Sequence, residues 1–595
     1  MNSGTSYLCM RFTSLSNSDK RFPVVFMISR CSRTDSSWPF QVKKDSTGPR
    51  RTLTHAAKRF CTTAFAIFRA KATDGQVTRT TCLSLAIERL SFCRFMGLII
   101  TAFMAYRERL KYRAMSTGAG LSTTSPIKFG TSGWRGVIAE DFTFANVRLA
   151  LTAIAEHVKA KSPQPSILVG YDTRFYSEEF SQLAVDILEH HGIRTLLCET
   201  FTPTPAVAFE IMRRKLDGAI NFTASHNPAQ YHGLKFSSGD AGPALPEITK
   251  DIEARASQIA AKGGVPPLPH SATKVNPHET VNLRENYLKR LGELVRFDTL
   301  KKANVKFVVD ALHGCGAGYL DRLLKDHGVG VSAIRTDRDC LFDGTGPDVS
   351  EENLAPLRKA VADSKATAGL ATDGDADRFG IVDGDGTWIQ PNLILALVYD
   401  YLVETRNWKL PAARSVATTQ MIDAVAKSHG QSVHQTPVGF KYIGKLIRED
   451  KIALGGEESA GLTIRGHIPE KDGILACLLV AEMIAARGAS IGEQIRATYK
   501  KLGREFWPVR ENLHLTDEQK ANAVRKVAVD ASTLLGRKVV STDRTDGAKF
   551  VFEGGSWMLL RLSGTEPLLR LYVEAESATA SAKLTSEAAE WVLQN

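Results

Sequence analysis

From Ser125 onward, apolar residues recur at two distinct periods, and the alternation between them divides the chain into elements. Val147, Leu151, Ile154 and Val158 share one helical face behind a Thr143 cap, and the continuous apolar run Ser166–Tyr171 (SILVGY) predicts a buried strand. A second helix is expected from Ser177, with Glu178 and Glu179 in its first turn, to near Gly192, followed by a strand over 193–198. Helix and strand in strict alternation predict parallel α/β layers. Further strand signals at 218–224, 306–311, 367–372, 415–419 and 452–455 predict three successive α/β units between about 125 and 505. Beyond 506 the period changes: 556–562 and 568–574 alternate as antiparallel strands around a tight loop, before an amphipathic helix. That pattern predicts a smaller α+β unit.

Residues 1–114 show neither period. They are rich in Ser, Thr and Arg, and three origins fit their composition: a translated upstream stretch outside the working protein, a targeting segment, or a basic interaction tail. Met115 is the expected start of the working protein. This segment also explains the net charge of +12: residues 1–120 carry 20 Lys+Arg against 6 Asp+Glu, and the remainder is close to neutral. The core is therefore not expected to bind nucleic acid. No apolar run approaches the ~20 residues that span a bilayer; 96–106 (MGLIITAFMAY) is too short and is interrupted by Thr101. No membrane partner is expected. Five of the nine cysteines fall in the same basic segment and the other four lie scattered, which suggests neither a zinc site nor a disulfide framework and fits a reducing cytoplasm.

Four short segments carry chemistry. Thr223-Ala224-Ser225-His226-Asn227-Pro228 follows a strand and is turned by Asn-Pro, which presents Ser225 at a strand's C-terminal end, where open α/β sheets build their sites. His226, Asn227 and nearby amides could hold a phosphoryl group on the serine oxygen; an ordinary polar turn fits the same letters. Asp373-Gly374-Asp375-Ala376-Asp377-Arg378 places three carboxylates at alternate positions, able to converge on a hard cation, Mg²⁺ before Ca²⁺. An EF-hand is excluded, because Arg378 and Gly384 stand where that loop needs Gly and Glu; a solvated acidic turn is the other reading. Glu457 and Ser459, in the run 455–461 (GGEESAG) after an expected strand over 451–454, could accept from and donate to neighbouring sugar hydroxyls, although a structural turn fits as well. Arg561-Leu562-Ser563-Gly564-Thr565-Glu566-Pro567, with Arg570 beyond it, has the makings of an anion cradle, or of a surface hairpin with incidental arginines. The glycine-rich stretch 314–318 fails the dinucleotide fingerprint at Tyr319 and reads as a close-packed turn.

In this order and spacing the four segments resemble the α-D-phosphohexomutase superfamily, over about 125–595, roughly four fifths of the chain. The resemblance implies three related mixed α/β domains around a cleft plus a C-terminal α+β domain. It implies that Ser225 is the phosphoserine, with His226 beside it, and that Asp373, Asp375 and Asp377 hold Mg²⁺ together with a Ser225 phosphoryl oxygen. By the same resemblance Glu457 and Ser459 contact the sugar, and Arg378, Arg561, Ser563, Gly564, Thr565 and Arg570 contact phosphate. Gly133-Trp134-Arg135-Gly136 and Gly233-Leu234-Lys235 also match, which makes Arg135 and Lys235 candidates for proton transfer or charge stabilisation.

Domains are expected at 125–275 (phosphoserine), 276–386 (metal loop), 387–505 (sugar) and 506–595 (phosphate), after a basic extension over 1–124. The expected reaction interconverts glucose 1-phosphate and glucose 6-phosphate, with glucose 1,6-bisphosphate as intermediate and activator. The mannose-tolerant and glucosamine branches tend to carry Ser-Gly-His after the sugar-binding Glu, whereas Ser459 is followed here by Ala460-Gly461, and Lys471 is expected to supply the missing charge. A phosphomannomutase, a dual-specificity mutase and a non-catalytic phosphosugar-binding protein are the alternatives. The expected partner is a hexose phosphate, and the expected assembly a monomer or homodimer in the cytoplasm.

Overall fold

The computed structural model describes residues 127–265, 278–562 and 568–594; the expected extension, Met115, Ser563, Gly564 and Thr565 lie outside them. Four sheets follow one another along the chain. The first holds β1 (Trp134–Val137), β2 (Ser166–Tyr171), β3 (Arg194–Cys198), β4 (Gly218–Phe222), β5 (Tyr231–Ser238) and β6 (Glu279–Val281), in the order β1-β5-β4-β2-β3-β6. The second holds β7 (Lys306–Asp310), β8 (Gly330–Ile334), β9 (Ala368–Thr372), β10 (Phe379–Asp383) and β11 (Trp388–Ile389), in the order β11-β10-β9-β7-β8. The third holds β12 (Ala412–Ser415), β13 (Val433–Thr436), β14 (Leu454–Glu457) and β15 (Gly461–Ile464), in the order β13-β12-β14-β15.

One plan runs through all three. Three parallel strands joined by helical crossovers are followed by a fourth strand that turns back antiparallel to the third. The turn into that fourth strand lies at 223–230, 373–378 and 458–460, so the three segments singled out by sequence occupy one topological position in three sheets. The parallel strands are near-continuous apolar runs because helices cover both faces: β2, β4 and β9 are buried throughout. The predicted helices form as Phe144–Lys161, capped by Thr143 Oγ1 on the Asn146 amide, and Ser177–His190.

The fourth sheet is antiparallel, with β16 (Trp507–His514), β17 (Thr533–Leu534), β18 (Arg537–Asp543), β19 (Ala548–Phe552), β20 (Trp557–Leu562) and β21 (Leu568–Ala575), in the order β16-β21-β20-β19-β18-β17. The helix Ala578–Leu593 closes it, and Leu584, Ala588 and Val592 complete a core of its own.

Two strands differ from the sequence expectation. The run over 415–419 is not a strand; β12 ends at Ser415, and Val416 and Ala417 pack instead on Trp557, Leu559 and Tyr572 of the fourth sheet. Their apolar character serves a joint between two units. The joint also has polar ties: Glu574 accepts from the Gln420 amide at 3.0 Å, from Trp557 Nε1 at 2.9 Å and from Thr419 Oγ1, while Lys549 Nζ donates to the Val416 carbonyl at 2.9 Å. The strand expected over 452–455 lies at Leu454–Glu457, so Gly455 and Gly456 belong to it. A β-carbon on either would meet Ile443 at 2.2 Å or Leu395 at 2.4 Å, which makes these glycines packing residues, not turn formers.

Candidate active site

The segment 223–230 leaves β4 and returns as β5, and Ser225 adopts the left-handed region with φ of 52°. Its amide donates to Thr223 Oγ1 at 2.8 Å and its Oγ donates to Asp373 Oδ2 at 2.7 Å, across two sheets. Ser225 is 1% exposed, so this is not a solvated turn. His226 Nδ1 stands 3.4 Å from Ser225 Oγ. Burial, then the Arg378 and Arg135 charges, hold its pKa well below the usual histidine range, and the ring is neutral. Arg135, from β1, donates to Asn227 Oδ1 at 2.5 Å; burial and Arg378 lower its pKa to about 10.

The acidic loop follows β9 directly. Asp373, Asp375 and Asp377 are fully buried, with ligand oxygens within 4.8 Å of one another. Lys235, on β5 of the first sheet, donates to Asp375 Oδ2 at 2.5 Å and Asp377 Oδ2 at 2.9 Å, and Lys471 donates to Asp377 Oδ2 at 2.6 Å. Burial opposes the charged forms of Lys235 and Asp377, but the pairing outweighs it: Lys235 is pushed up by Asp375 and Asp377, and Asp377 is held well below the carboxylate range by Lys235, Lys471 and Arg378. Asp373 is raised well above that range, first by burial and then by Asp375 and Asp377. Asp375 Oδ1 and Asp377 Oδ1 are buried without a hydrogen-bond partner among the described residues. Three converging carboxylates, two with unpartnered buried oxygens and no nitrogen or sulfur donor among them, suit a hard divalent cation. The loop also touches the serine's backbone: a β-carbon on Gly374 would lie 2.7 Å from the Ser225 carbonyl oxygen.

The third sheet adds Glu457 at the end of β14. Its Oε1 accepts from the Gly439 amide at 2.6 Å, and burial, then Glu458, raises its pKa to about 7. Glu458 faces the other way, accepting from Ser415 Oγ at 2.8 Å and Thr418 Oγ1 at 3.2 Å, and Ser459 is half-buried in the turn. The Ala460 carbonyl accepts from the Phe379 amide at 3.1 Å, which ties this turn to the start of β10. Arg378 lies beside both, with a buried Nε and a loose ion pair to Asp348 at 3.8 Å.

In the fourth sheet Arg561 and Arg570 stand directly opposite each other on β20 and β21, flanking the segment 563–567. Like charges in that register are unfavourable, and Asp546 offsets the charge of Arg561. Arg561 Nε donates to Asp546 Oδ2 at 2.9 Å, and Asp546 also accepts from the Val438 amide at 3.1 Å, one residue from the Gly439 contact with Glu457.

Several polar residues around this centre were not assigned as site residues from the sequence. Thr204, at the start of the helix Thr204–Arg214, donates to Asp375 Oδ2 at 2.5 Å. Asp472, next to Lys471, caps the helix Gly473–Arg487 and accepts from Tyr287 OH and the His467 ring at 2.7 Å each. Asp172 and Arg174 follow β2 at its C-terminal end, the signal that picked out Ser225.

The models for phosphoglucomutase/phosphomannomutase alpha/beta/alpha domains I, II and III match residues 126–262, 285–386 and 390–502, and that for the C-terminal domain matches 511–590. This chain belongs to the phosphoglucomutase/phosphomannomutase family. Members of the family are isomerases that shift a phosphoryl group within a sugar phosphate, and so is this phosphohexomutase. It is 29% identical over 458 residues to a phosphoglucomutase/phosphomannomutase of Thermococcus kodakarensis, covering 76% of this chain and 94% of that one. It is 28% identical over 460 residues to a protein of Methanothermobacter thermautotrophicus, provisionally named a phosphoglucosamine mutase, covering 76% and 94%. A solved structure from Thermus thermophilus, provisionally described as a phosphomannomutase, superposes with a TM-score of 0.68 at 32% identity, covering 79% of this chain and 99% of that one. Among the described residues no single helix is long and apolar enough to cross a membrane.

Proposed function

We propose that this phosphohexomutase interconverts glucose 1-phosphate and glucose 6-phosphate through a phosphorylated Ser225 and a glucose 1,6-bisphosphate intermediate. The observation that carries the reading is the placement of Ser225 Oγ, buried and hydrogen-bonded to Asp373, in a centre that Arg135, Lys235, Arg378 and Lys471 reach from three sheets. Phosphoryl transfer between two oxygens mainly requires in-line positioning and neutralised equatorial charge. Arg135, Arg378 and Lys235 stabilise the transferring group, and the neutral His226 ring, 3.4 Å away, helps orient Ser225 Oγ. Mg²⁺ held by Asp373, Asp375, Asp377 and a phosphoserine oxygen would supply further charge neutralisation. Glu457 and Ser459 receive the sugar hydroxyls. Arg561 and Arg570, with Ser563, Gly564 and Thr565 between them, grip the phosphate that is not reacting, and a grip on each side lets the bisphosphate return in the opposite orientation.

Gly461 and Lys471 favour glucose. A β-carbon at 461 would lie 2.3 Å from Lys471 Cδ, so a histidine at 461 and the lysine exclude each other, and Lys471 takes over the charge. The proposed domains are 125–275, 276–386, 387–505 and 506–595; β6 (Glu279–Val281), which pairs with β3 of the first sheet, lies just past the first of these boundaries. Cys198, Cys315, Cys340 and Cys477 are free, which fits a cytoplasmic location.

The test is conversion of glucose 1-phosphate by the full chain with Mg²⁺ and a trace of glucose 1,6-bisphosphate, beside Ser225→Ala. The expected result is turnover abolished in the variant and a higher kcat/KM on glucose 1-phosphate than on mannose 1-phosphate. Turnover retained by Ser225→Ala refutes the nucleophile; equal or higher efficiency on mannose 1-phosphate makes this a dual-specificity or mannose enzyme.

A further inference from the structure

The left-handed Ser225 sits in a segment that runs from the turn after β4 into the first residue of β5, and its backbone carbonyls are only partly taken up by neighbouring strands. Four of them converge on one side chain. Arg174, in the turn after β2, donates from Nη2 to the carbonyls of Ser225 at 2.6 Å and Asn227 at 2.5 Å, and from Nη1 to those of Pro228 at 2.9 Å and Tyr231 at 3.0 Å. Its Nε donates to Asp172 Oδ2 at 3.1 Å, so all five N–H groups are used. The side chain is wholly buried and stacks over Phe342 at 5.0 Å. Asp172 is fixed in turn by the Arg174 amide at 3.0 Å and Ser177 Oγ at 3.2 Å. The turn is pinned to the second sheet's unit, because Arg338 donates to the carbonyls of Thr173 at 3.0 Å and Arg174 at 3.2 Å, and Thr173 Oγ1 donates to the His313 carbonyl at 2.9 Å.

Resting on the reading of Ser225 as nucleophile, the geometry assigns Arg174 as its positioning residue: a buried guanidinium that fixes the 225–231 backbone, and so the direction of Ser225 Oγ, without touching the reacting atoms. Oγ itself has one firm contact, to Asp373. The peptide behind it has the Arg174 bond to its carbonyl and the close approach of Gly374. A planar fork with five donors spans four carbonyls, whereas a lysine offers three donors from a point and cannot. Displacing a reacting group by about 1 Å costs roughly 10²-fold in rate, even when every chemical group remains.

The test compares the full chain with Arg174→Lys, which keeps the charge and loses the fork. Three quantities are read: the single-turnover rate of Ser225 phosphorylation by glucose 1,6-bisphosphate, from intact mass; kcat and KM separately; and backbone hydrogen exchange. The expected result is phosphorylation and kcat slowed about 10²-fold, with KM within about threefold, and faster exchange at 225–231 while β2 and β4 keep their protection. Phosphorylation at the wild-type rate overturns the proposal, as does a uniform loss of protection across the first sheet with KM and kcat falling together, because that is structural support and not positioning. Should Arg174→Lys fail to fold, Asp172→Asn releases Nε alone; the same local exchange with a smaller rate loss supports the proposal, and unchanged exchange at 225–231 overturns it. If wild-type protein takes no phosphate at Ser225, the nucleophile reading fails, and the exchange pattern alone decides whether Arg174 holds the loop.

Discussion

Lys235 bridges two carboxylates from another sheet, and replacing it by Met isolates what its charge contributes. The stem stays similar in volume, and the contacts at 2.5 and 2.9 Å to Asp375 and Asp377 go. Each aspartate keeps one partner: Lys471 still donates to Asp377 at 2.6 Å, and Thr204 to Asp375 at 2.5 Å. One positive charge is therefore lost beside wholly buried carboxylates, and breaking a buried pair from one side costs about 3–5 kcal/mol. A divalent cation restores part of this, since a ligand at a hundred times its Kd stabilises by about 2.7 kcal/mol. It should also bind Lys235→Met more tightly than wild type, by about tenfold or 1.4 kcal/mol, because the ammonium no longer competes for the same oxygens. Urea unfolding in EDTA and across a Mg²⁺ titration measures both quantities. A variant within about 1 kcal/mol of wild type in EDTA, well under the cost of a broken buried pair, refutes the uncompensated-charge argument. Equal stabilisation of the two proteins by Mg²⁺ refutes the competition between lysine and metal.

Gly374→Ala places a methyl 2.7 Å from the Ser225 carbonyl and 2.9 Å from Pro347, so the serine must shift; turnover should fall about 10²-fold while the unfolding midpoint moves little, and wild-type turnover refutes the close approach. Lys471→Ala should cut kcat by at least tenfold if the lysine carries the charge assigned to it; an unchanged rate removes that role. Lys549 has a pKa pushed down to about 7 by burial, then by Arg414. Since the unfolded chain holds that proton until about pH 10, stability should rise from pH 7 toward pH 10 by no more than about 1.4 kcal/mol per unit. Lys549→Met should flatten that slope in urea unfolding followed at Trp557; an unchanged slope assigns it to another group.

The alternation of helices and strands was legible because each parallel strand is buried on both faces and each helix on one, a local pattern visible in a single stretch such as 166–171. Residues 415–419 misled because Val416 and Ala417 are apolar for a different partner, a sheet more than 130 residues later, and no local period distinguishes the two. The acidic loop and Ser225 were legible because their residue types are unusual after an apolar strand. Arg174 was not: an arginine satisfied by four carbonyls has no sequence signature, since its partners are defined by backbone direction alone. Thr204 was missed, and Asp472, although next to Lys471, was given no site role, for a related reason: each looks like an ordinary helix start until its partner across the fold is seen.

The repeated hairpin of the first three sheets also bears on how such a centre can change. The proposed nucleophile, metal cradle and sugar contact each sit at a separate copy of one turn, anchored in its own parallel strands. Lineages could therefore lengthen, shorten or rewrite one turn while the sheets beneath kept their packing, and preference for a new sugar could arise in the third copy with the phosphoryl chemistry of the first two left intact. Repetition of one hairpin plan in three sheets gives the enzyme three anchors for its centre, joined to one another where Ser225 meets Asp373 and the Phe379 amide meets the Ala460 carbonyl.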